Sequence, residues 1–279
     1  MMKIPRIEND SHPLDRNAPS GFSLIELLVV IVVIGILGSL IIGAVQHVRT
    51  MSKRVASTSN LRSIGQGFGF YLADNNNTYF GAGPGSGASG PTYEARGYYR
   101  WPQRLGPYMN LEGEILNLTT SEGDTVQVLA NAYRHAVFHT PFTDERHWKQ
   151  GDDIGKNSTM GIYGINTKIA IGANRDGLNI TGVHALDIRN PSRTILMGEH
   201  FAGPEYTGES VSTAGVELHR SGPYPDRSNG LASNTLGGSS DTGPTMILFA
   251  DGHVESIEIS ELDPWPDTEA NRTGITFLP

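Results

Sequence analysis

The chain has 279 residues and a net charge of −8, with 38% hydrophobic residues, 18% charged residues, 34 glycines, 16 prolines and no cysteine. The lack of cysteine excludes a disulfide framework, a thiolate metal site, an iron–sulfur cluster and a cysteine nucleophile, and the acidic balance disfavours a large nucleic-acid footprint, which needs clustered Lys and Arg. The length suffices for one large domain or two modest ones, and many glycines with few charges point to a loop-rich, strand-leaning body.

The first segment, Met1 to Gly21, is polar, with Lys3, Arg6 and Arg16 offset by Glu8, Asp10 and Asp15. From Leu27 to Val45 follow nineteen apolar or small residues without a charge. As a helix this run is about 28 Å long, close to the roughly 30 Å of a bilayer's hydrocarbon core. A secretory signal has a shorter apolar region ending at a small-x-small cleavage site, whereas this run leads into His47-Val48-Arg49. A buried core helix would keep a polar stripe, and none occurs before Gln46. The segment therefore predicts a membrane span. Charge alone does not orient it, because the three leader cations are matched by Arg49, Lys53 and Arg54 beyond the span. Gly35, Ser39 and Gly43 recur every four residues, which fits either a close-packing helix seam or the general abundance of glycine in membrane helices.

Glu26 is the one charge near the start of this apolar stretch. A carboxylate in a membrane segment is costly and normally has a partner and a task, yet no Lys or Arg lies within a helical turn of it. Cleavage between Gly21 and Phe22 would create an α-amine four residues before Glu26, within pairing distance on its own helix or a neighbouring one. Gly21-Phe22-Ser23-Leu24-Ile25-Glu26 followed by a long apolar run closely resembles the processing site of type IV prepilins and type II secretion pseudopilins. The resemblance implies that a membrane peptidase cuts after Gly21 and methylates Phe22. It further implies that Glu26 guides subunit assembly, that the leader is cytoplasmic, and that the body lies outside the inner membrane.

Beyond the span, apolar residues recur at Val48, Met51, Val55, Leu61, Ile64, Phe68, Tyr71 and Leu72, mostly in steps of three and four, as on one helix face. No proline falls between Phe22 and Asp74, so a single rod of about 80 Å is expected. Pilin-like subunits often carry a helix-distorting proline at the twenty-second mature position; this chain has Gly43 there.

After Asn75 the composition changes. Residues 81–91 read as a flexible loop, and their GxGxxG match from Gly85 to Gly90 lacks the preceding strand and following helix that nucleotide binding requires. Residues 229–244 read as a second exposed loop. Apolar runs at Met160–Ile165, Thr194–Met197 and Thr245–Ala250 suit strands, and Asp251-Gly252 before His253–Ile259 predicts a hairpin in which both turn positions tolerate positive φ. Residues 247–254, ILFADGHV, resemble the end of the H-X9-DG region of large pseudopilin-like proteins of Planctomycetes and Verrucomicrobia. Trp101-Pro102, Leu105–Tyr108, Tyr163–Asn166 and Pro191–Leu196 also look like landmarks of that group. The spacing departs from it, because His219 is separated from Asp251 by thirty-one residues instead of nine. Glu199, His200, His219, Asp241, Asp251 and His253 are metal-ligand types, but their spacing matches no compact motif, and no Gly-x-Ser-x-Gly elbow occurs.

The expected fold is α+β and pilin-like: a long N-terminal helix, half transmembrane and half amphipathic, packed on a C-terminal antiparallel β-sheet head with long loops. The expected organisation is a leader at 1–21, an assembly helix at 22–75 and a periplasmic head at 76–279. The expected function is that of a type II secretion pseudopilin, a structural subunit and not an enzyme. Its partners would be further copies, other pseudopilins, the prepilin peptidase, the inner-membrane secretion platform and membrane lipid, with no nucleic acid. No cofactor, metal or catalytic residue is assigned. The alternatives are a type IV pilin for adhesion or motility and, in a different class, a membrane-anchored enzyme or ligand-binding head.

Overall fold

The structure is a computed structural model that describes residues 23–80, 101–119, 125–130, 132–142, 163–166, 169, 181–199, 217–218, 233–235, 238–240, 243–262 and 275. The chain divides into two compact units, 1–46 and 47–279. Helix α1, Leu24–Asp74, is unbroken, and Gly35, Gly38 and Gly43 are all helical. Glycine at position 43 therefore does not interrupt the helix, consistent with a residue that weakens a helix by only about 1 kcal/mol and keeps its N–H donor.

In the first unit, the described part of α1 buries no side chain: Leu24, Ile31, Leu37 and Ile42 are all more than half exposed. Among the described residues, α1 is the only helix long and apolar enough to cross a membrane.

In the second unit the chain runs from α1 into β1 (Thr78–Phe80), α2 (Trp101–Leu105), β2 (Ile115–Thr119), β3 (Thr125–Leu129), β4 (Gly164–Asn166), β5 (Thr181–His184), β6 (Ile195–Gly198), β7 (Glu217–Leu218), β8 (Ser233–Thr235), β9 (Gly238–Ser240), β10 (Pro244–Phe249) and β11 (Val254–Glu258). The main sheet has the order β11-β10-β6-β4-β7. It is antiparallel except for β4 and β7, which pair in parallel. The pairs β1–β5, β2–β3 and β8–β9 stand as separate antiparallel ribbons. The α+β arrangement of a long helix followed by antiparallel sheets is thus present.

The core explains why these segments fold as they do. On α1 the residues Ser57, Leu61, Ile64, Phe68 and Tyr71 are buried, a spacing of three and four that keeps them on one face. The last four pack with Tyr79, Phe80, Trp101, Leu105, Phe138, Tyr163, Met197 and Leu248. Fully burying one such large apolar side chain contributes about 1.5–3 kcal/mol. Strand β10 alternates: Met246 and Leu248 join this cluster, while Ile247 and Phe249 face a second one with Ile195, Ile257 and Ile275. Both faces of β10 are therefore dry, and its sequence is apolar from Met246 to Phe249 instead of alternating. Close approach requires glycine at Gly67, where a Cβ would come within 2.7 Å of Met109 Cγ, and at Gly182, where it would come within 2.5 Å of the Ile169 carbonyl oxygen.

Three expectations need correction. Val48, Met51 and Val55 share the apolar spacing but are 63%, 54% and 70% exposed; the six-residue step from Val55 to Leu61 turns about 240° round the helix, so they lie on a different side from the buried face. Residues 229–244 are not simply a loop, because β8 and β9 pair there in the register Ser233↔Ser240 to Thr235↔Gly238, and backbone pairing needs no apolar side chains. The β10–β11 hairpin forms as expected, with Leu248 opposite Val254, but its turn differs. Gly252 N–H donates to the Phe249 carbonyl at 2.9 Å, and within the turn only Gly252 has positive φ, at 90°. This is the longer loop ending in a left-handed glycine, not the two-residue turn. The loop expected at 81–91, with its Gly85–Gly90 match, lies outside the described residues, as do residues 160–162 of the first expected strand.

Candidate functional site

The N-terminal motif is visible from Ser23 onward, while Gly21 and Phe22 lie outside the described residues. Ser23 immediately precedes the helix and donates its backbone N–H to Glu26 Oε2 at 2.9 Å. The N–H groups of Glu26 and Leu27 donate in turn to the Ser23 carbonyl at 3.0 and 3.2 Å. Ser23-Leu24-Ile25-Glu26 is thus a Ser-x-x-Glu capping sequence in which the carboxylate satisfies a free backbone donor at the positive end of the helix dipole. No Lys or Arg in the sequence is a local partner for Glu26, and the Ser-x-x-Glu spacing is the signal for this backbone one. Glu26 is exposed, so the capping bond leaves room for a further counter-charge. Along the same helix, a Cβ added at Gly35 or Gly43 would meet nothing within 4 Å, and Ser39 Oγ donates to the Ile36 carbonyl at 2.7 Å. Among the described residues, nothing covers these small residues.

Of the six metal-ligand types in the head, His200, His219 and Asp241 lie outside the described residues. Asp251 and His253 meet at the turn. Asp251 Oδ1 accepts the His253 backbone N–H at 3.1 Å and lies 2.6 Å from His253 Nδ1. The imidazole stacks on Phe249 at 4.4 Å between ring centroids, and its Nε2 is 3.8 Å from Glu255 Oε2. These contacts shape the hairpin. Among the described residues no three His, Asp or Glu side chains are grouped so as to hold a metal ion.

Glu199 is elsewhere and differently placed. It follows β6 and is 1% exposed. Its Oε1 accepts from Ser57 Oγ of α1 at 2.6 Å and from Thr140 Oγ1 at 3.5 Å, and its Oε2 accepts from the Met246 N–H of β10 at 3.3 Å. Ser57 Oγ lies 3.0 Å from the Tyr163 hydroxyl, which accepts from Asn60 Nδ2 at 3.5 Å. Asn60 Nδ2 also donates to the His139 carbonyl at 3.2 Å. Burial pushes the Glu199 carboxyl up to about 7, opposed by the hydrogen bonds from Ser57 and Met246, the Arg54 charge and Thr140. Burial and then the Glu199 charge raise the Tyr163 hydroxyl well above its ordinary value. With both oxygens engaged inside the core, Glu199 serves the helix–sheet junction and not an open ligand site. The sequence showed Glu199 only as a ligand type and gave no sign of its partner, 142 residues upstream.

Comparison with protein families matches residues 16–42 to the prokaryotic N-terminal methylation motif, and comparisons with curated proteins and with solved structures give no match. The matched segment contains Gly21, Phe22, the Ser23–Glu26 cap and most of the apolar run. It supports a prepilin-like subunit of the pilin or pseudopilin type, and implies processing by a prepilin peptidase and assembly into a pilin-type polymer. Together with the apolar half of α1, it supports anchoring in a membrane through a single helix.

Proposed function

We propose that the chain is a pseudopilin of a type II secretion system. Residues 1–21 are a cytoplasmic leader removed after Gly21, residues 22–75 the assembly helix, and residues 76–279 a periplasmic head. The observation that carries this reading is the methylation motif over residues 16–42 at the start of a helix whose apolar half has no buried residue. Apolar surface of that extent needs lipid or other apolar helices around it, and a subunit that passes from bilayer to fibre exchanges the first for the second. Cleavage places the Phe22 α-amine one residue before Ser23, whose N–H already meets the Glu26 carboxylate. In the fibre, Glu26 pairs with such an amine, its own or a neighbour's, while the small residues at 35, 39 and 43 admit an adjoining helix. The likeness of residues 247–254 to the H-X9-DG group favours the same class of subunit. The inner-membrane secretion platform, other pseudopilins and the peptidase are its partners, and the role of the head is structural.

Mass spectrometry of the protein from cells should show a mature chain beginning with methylated Phe22; an intact Met1 terminus in cells with active peptidase contradicts the reading. Glu26→Gln should be cleaved normally but fail to enter fibres, and normal fibres would remove the residue's role. Deletion of the subunit should strand exported enzymes in the periplasm. Unchanged secretion with loss of surface filaments would assign the chain to type IV pili instead.

A further inference from the structure

The hydrogen-bonded chain that crosses from α1 to the head ends on a buried acid, which the assembly role leaves unused. We propose that Glu199 is a proton-operated latch that holds the second half of α1 on the head sheet when protonated and loosens it when ionised. Both ends of the latch are fixed by geometry. On the sheet side, Glu199 exchanges two bonds with Met246 of β10: its N–H donates to the Met246 carbonyl at 3.1 Å, and its Oε2 accepts the Met246 N–H at 3.3 Å. On the helix side, Oε1 is 2.6 Å from Ser57 Oγ, at the first buried position of α1.

The groups around the carboxyl can serve either protonation state. When it is ionised, Ser57, Thr140 and the Met246 N–H all donate to it, and Tyr163 donates to Ser57. When it is protonated, the backbone N–H of Met246 cannot reverse, so the proton resides on Oε1. The Ser57 hydroxyl then rotates to accept that proton beside the one from Tyr163, its own hydrogen turning to a carbonyl of the preceding helical turn. Switching costs hydroxyl rotations and no backbone movement. The charged and titratable groups of the surrounding elements are Arg54 on α1, Tyr163 ahead of β4, and the buried His139 beside Thr140. Lys53 instead lies over the Phe142 ring, 5.6 Å from its centroid.

Linkage sets the direction. In the closed state the carboxyl holds its proton up to about pH 7, whereas an opened state that hydrates Glu199 returns it to its ordinary value near 4.5. The added stability is complete below the lower value and is lost as pH rises through the upper one. Opening of α1 therefore becomes about tenfold easier per pH unit between them, roughly 300-fold in all, and then levels off.

Hydrogen exchange with mass spectrometry on the full chain in detergent micelles, expressed as protection factors so that intrinsic exchange cancels, tests the latch from pH 5 to 8. Protection of α1 between Ser57 and Tyr71 should fall steeply up to about pH 7 and flatten above it, while β2–β3 stays constant. In Glu199→Gln the α1 profile should be flat. Should that variant not fold, Ser57→Ala removes the strongest donor to the carboxylate and should move the midpoint to higher pH. A flat wild-type profile, an unchanged slope in Glu199→Gln, an unmoved midpoint in Ser57→Ala, or a parallel loss across β2–β3 would each overturn the proposal.

Discussion

Phe68 and Phe70 are two residues apart on α1 and provide a direct test of which face carries the head. Phe68 is 2% exposed; its ring lies 5.4 Å from Phe80 in a stacked arrangement and 5.8 Å from Tyr79 in a tilted one. Phe70, some 200° further round the helix, is 64% exposed. Phe68→Ala removes a buried ring and leaves a cavity between two aromatic neighbours, with an expected loss of about 3–5 kcal/mol. Phe70→Ala changes solvent-facing surface and should stay within about 0.5 kcal/mol of wild type. For a folded unit of this size each kcal/mol moves the melting temperature by about 2–4 °C, so Phe68→Ala should lower it by roughly 6–20 °C. Thermal unfolding in detergent micelles can be followed by tryptophan fluorescence, since Trp101 is fully buried and edge-on to Phe138. Equal shifts for the two variants, or a loss below about 1 kcal/mol for Phe68→Ala, would refute the assigned face.

Two glycines should respond in opposite directions to alanine in the same assay. A Cβ at Gly182 would lie 2.5 Å from the Ile169 carbonyl oxygen and 2.9 Å from that of Tyr79. Neither can withdraw freely, because the Val183 N–H donates to Ile169 O at 2.9 Å and Tyr79 lies within the β1–β5 pair; Gly182→Ala should cost at least about 1–3 kcal/mol. A Cβ at Gly69 meets nothing within 4 Å, so Gly69→Ala should stabilise α1 by about 0.5–1 kcal/mol. Destabilisation at Gly69 would show that its face is covered in the folded protein.

The long helix and the last hairpin were legible because each rests on local signals: an uninterrupted apolar run without proline, and a turn-forming Asp251-Gly252 between two apolar segments. The end of the buried face was not. Val55 and Leu61 stand six residues and so about 240° apart round the helix, and only the position of the sheet shows that the side of Leu61, at 0% exposure, and not that of Val55, at 70%, is the buried one. The ribbon β2–β3 left a weaker signal that was open to reading, a run of Ile, Leu, Val and Thr on either side of Gly123-Asp124, with Leu116 opposite Val128. Ribbon β1–β5 had none, because its pairing, Thr78 with His184, joins residues over a hundred positions apart. Glu199 was invisible as a junction for the same reason: its environment is made by Ser57, Thr140, Tyr163 and Met246, and no spacing within the sequence encodes their meeting.

Glu26 and Glu199 show how one side chain takes two roles according to what the chain supplies around it. Glu199 has its donors built in: two hydroxyls and a backbone N–H at 2.6 to 3.5 Å inside a dry core. Burial nevertheless raises its carboxyl to about 7, so the acid can exist neutral. Glu26 has one backbone donor among the described residues and is otherwise exposed, at the head of an exposed apolar surface. Once lipid or neighbouring helices close over that surface, water no longer solvates the carboxylate, and a single N–H at 2.9 Å does not offset the loss. The remaining stabilisation has to come from a cation brought to the same helix end. On the proposed reading, proteolysis after Gly21 would generate one there, which would tie the chemistry of processing to the energetics of assembly.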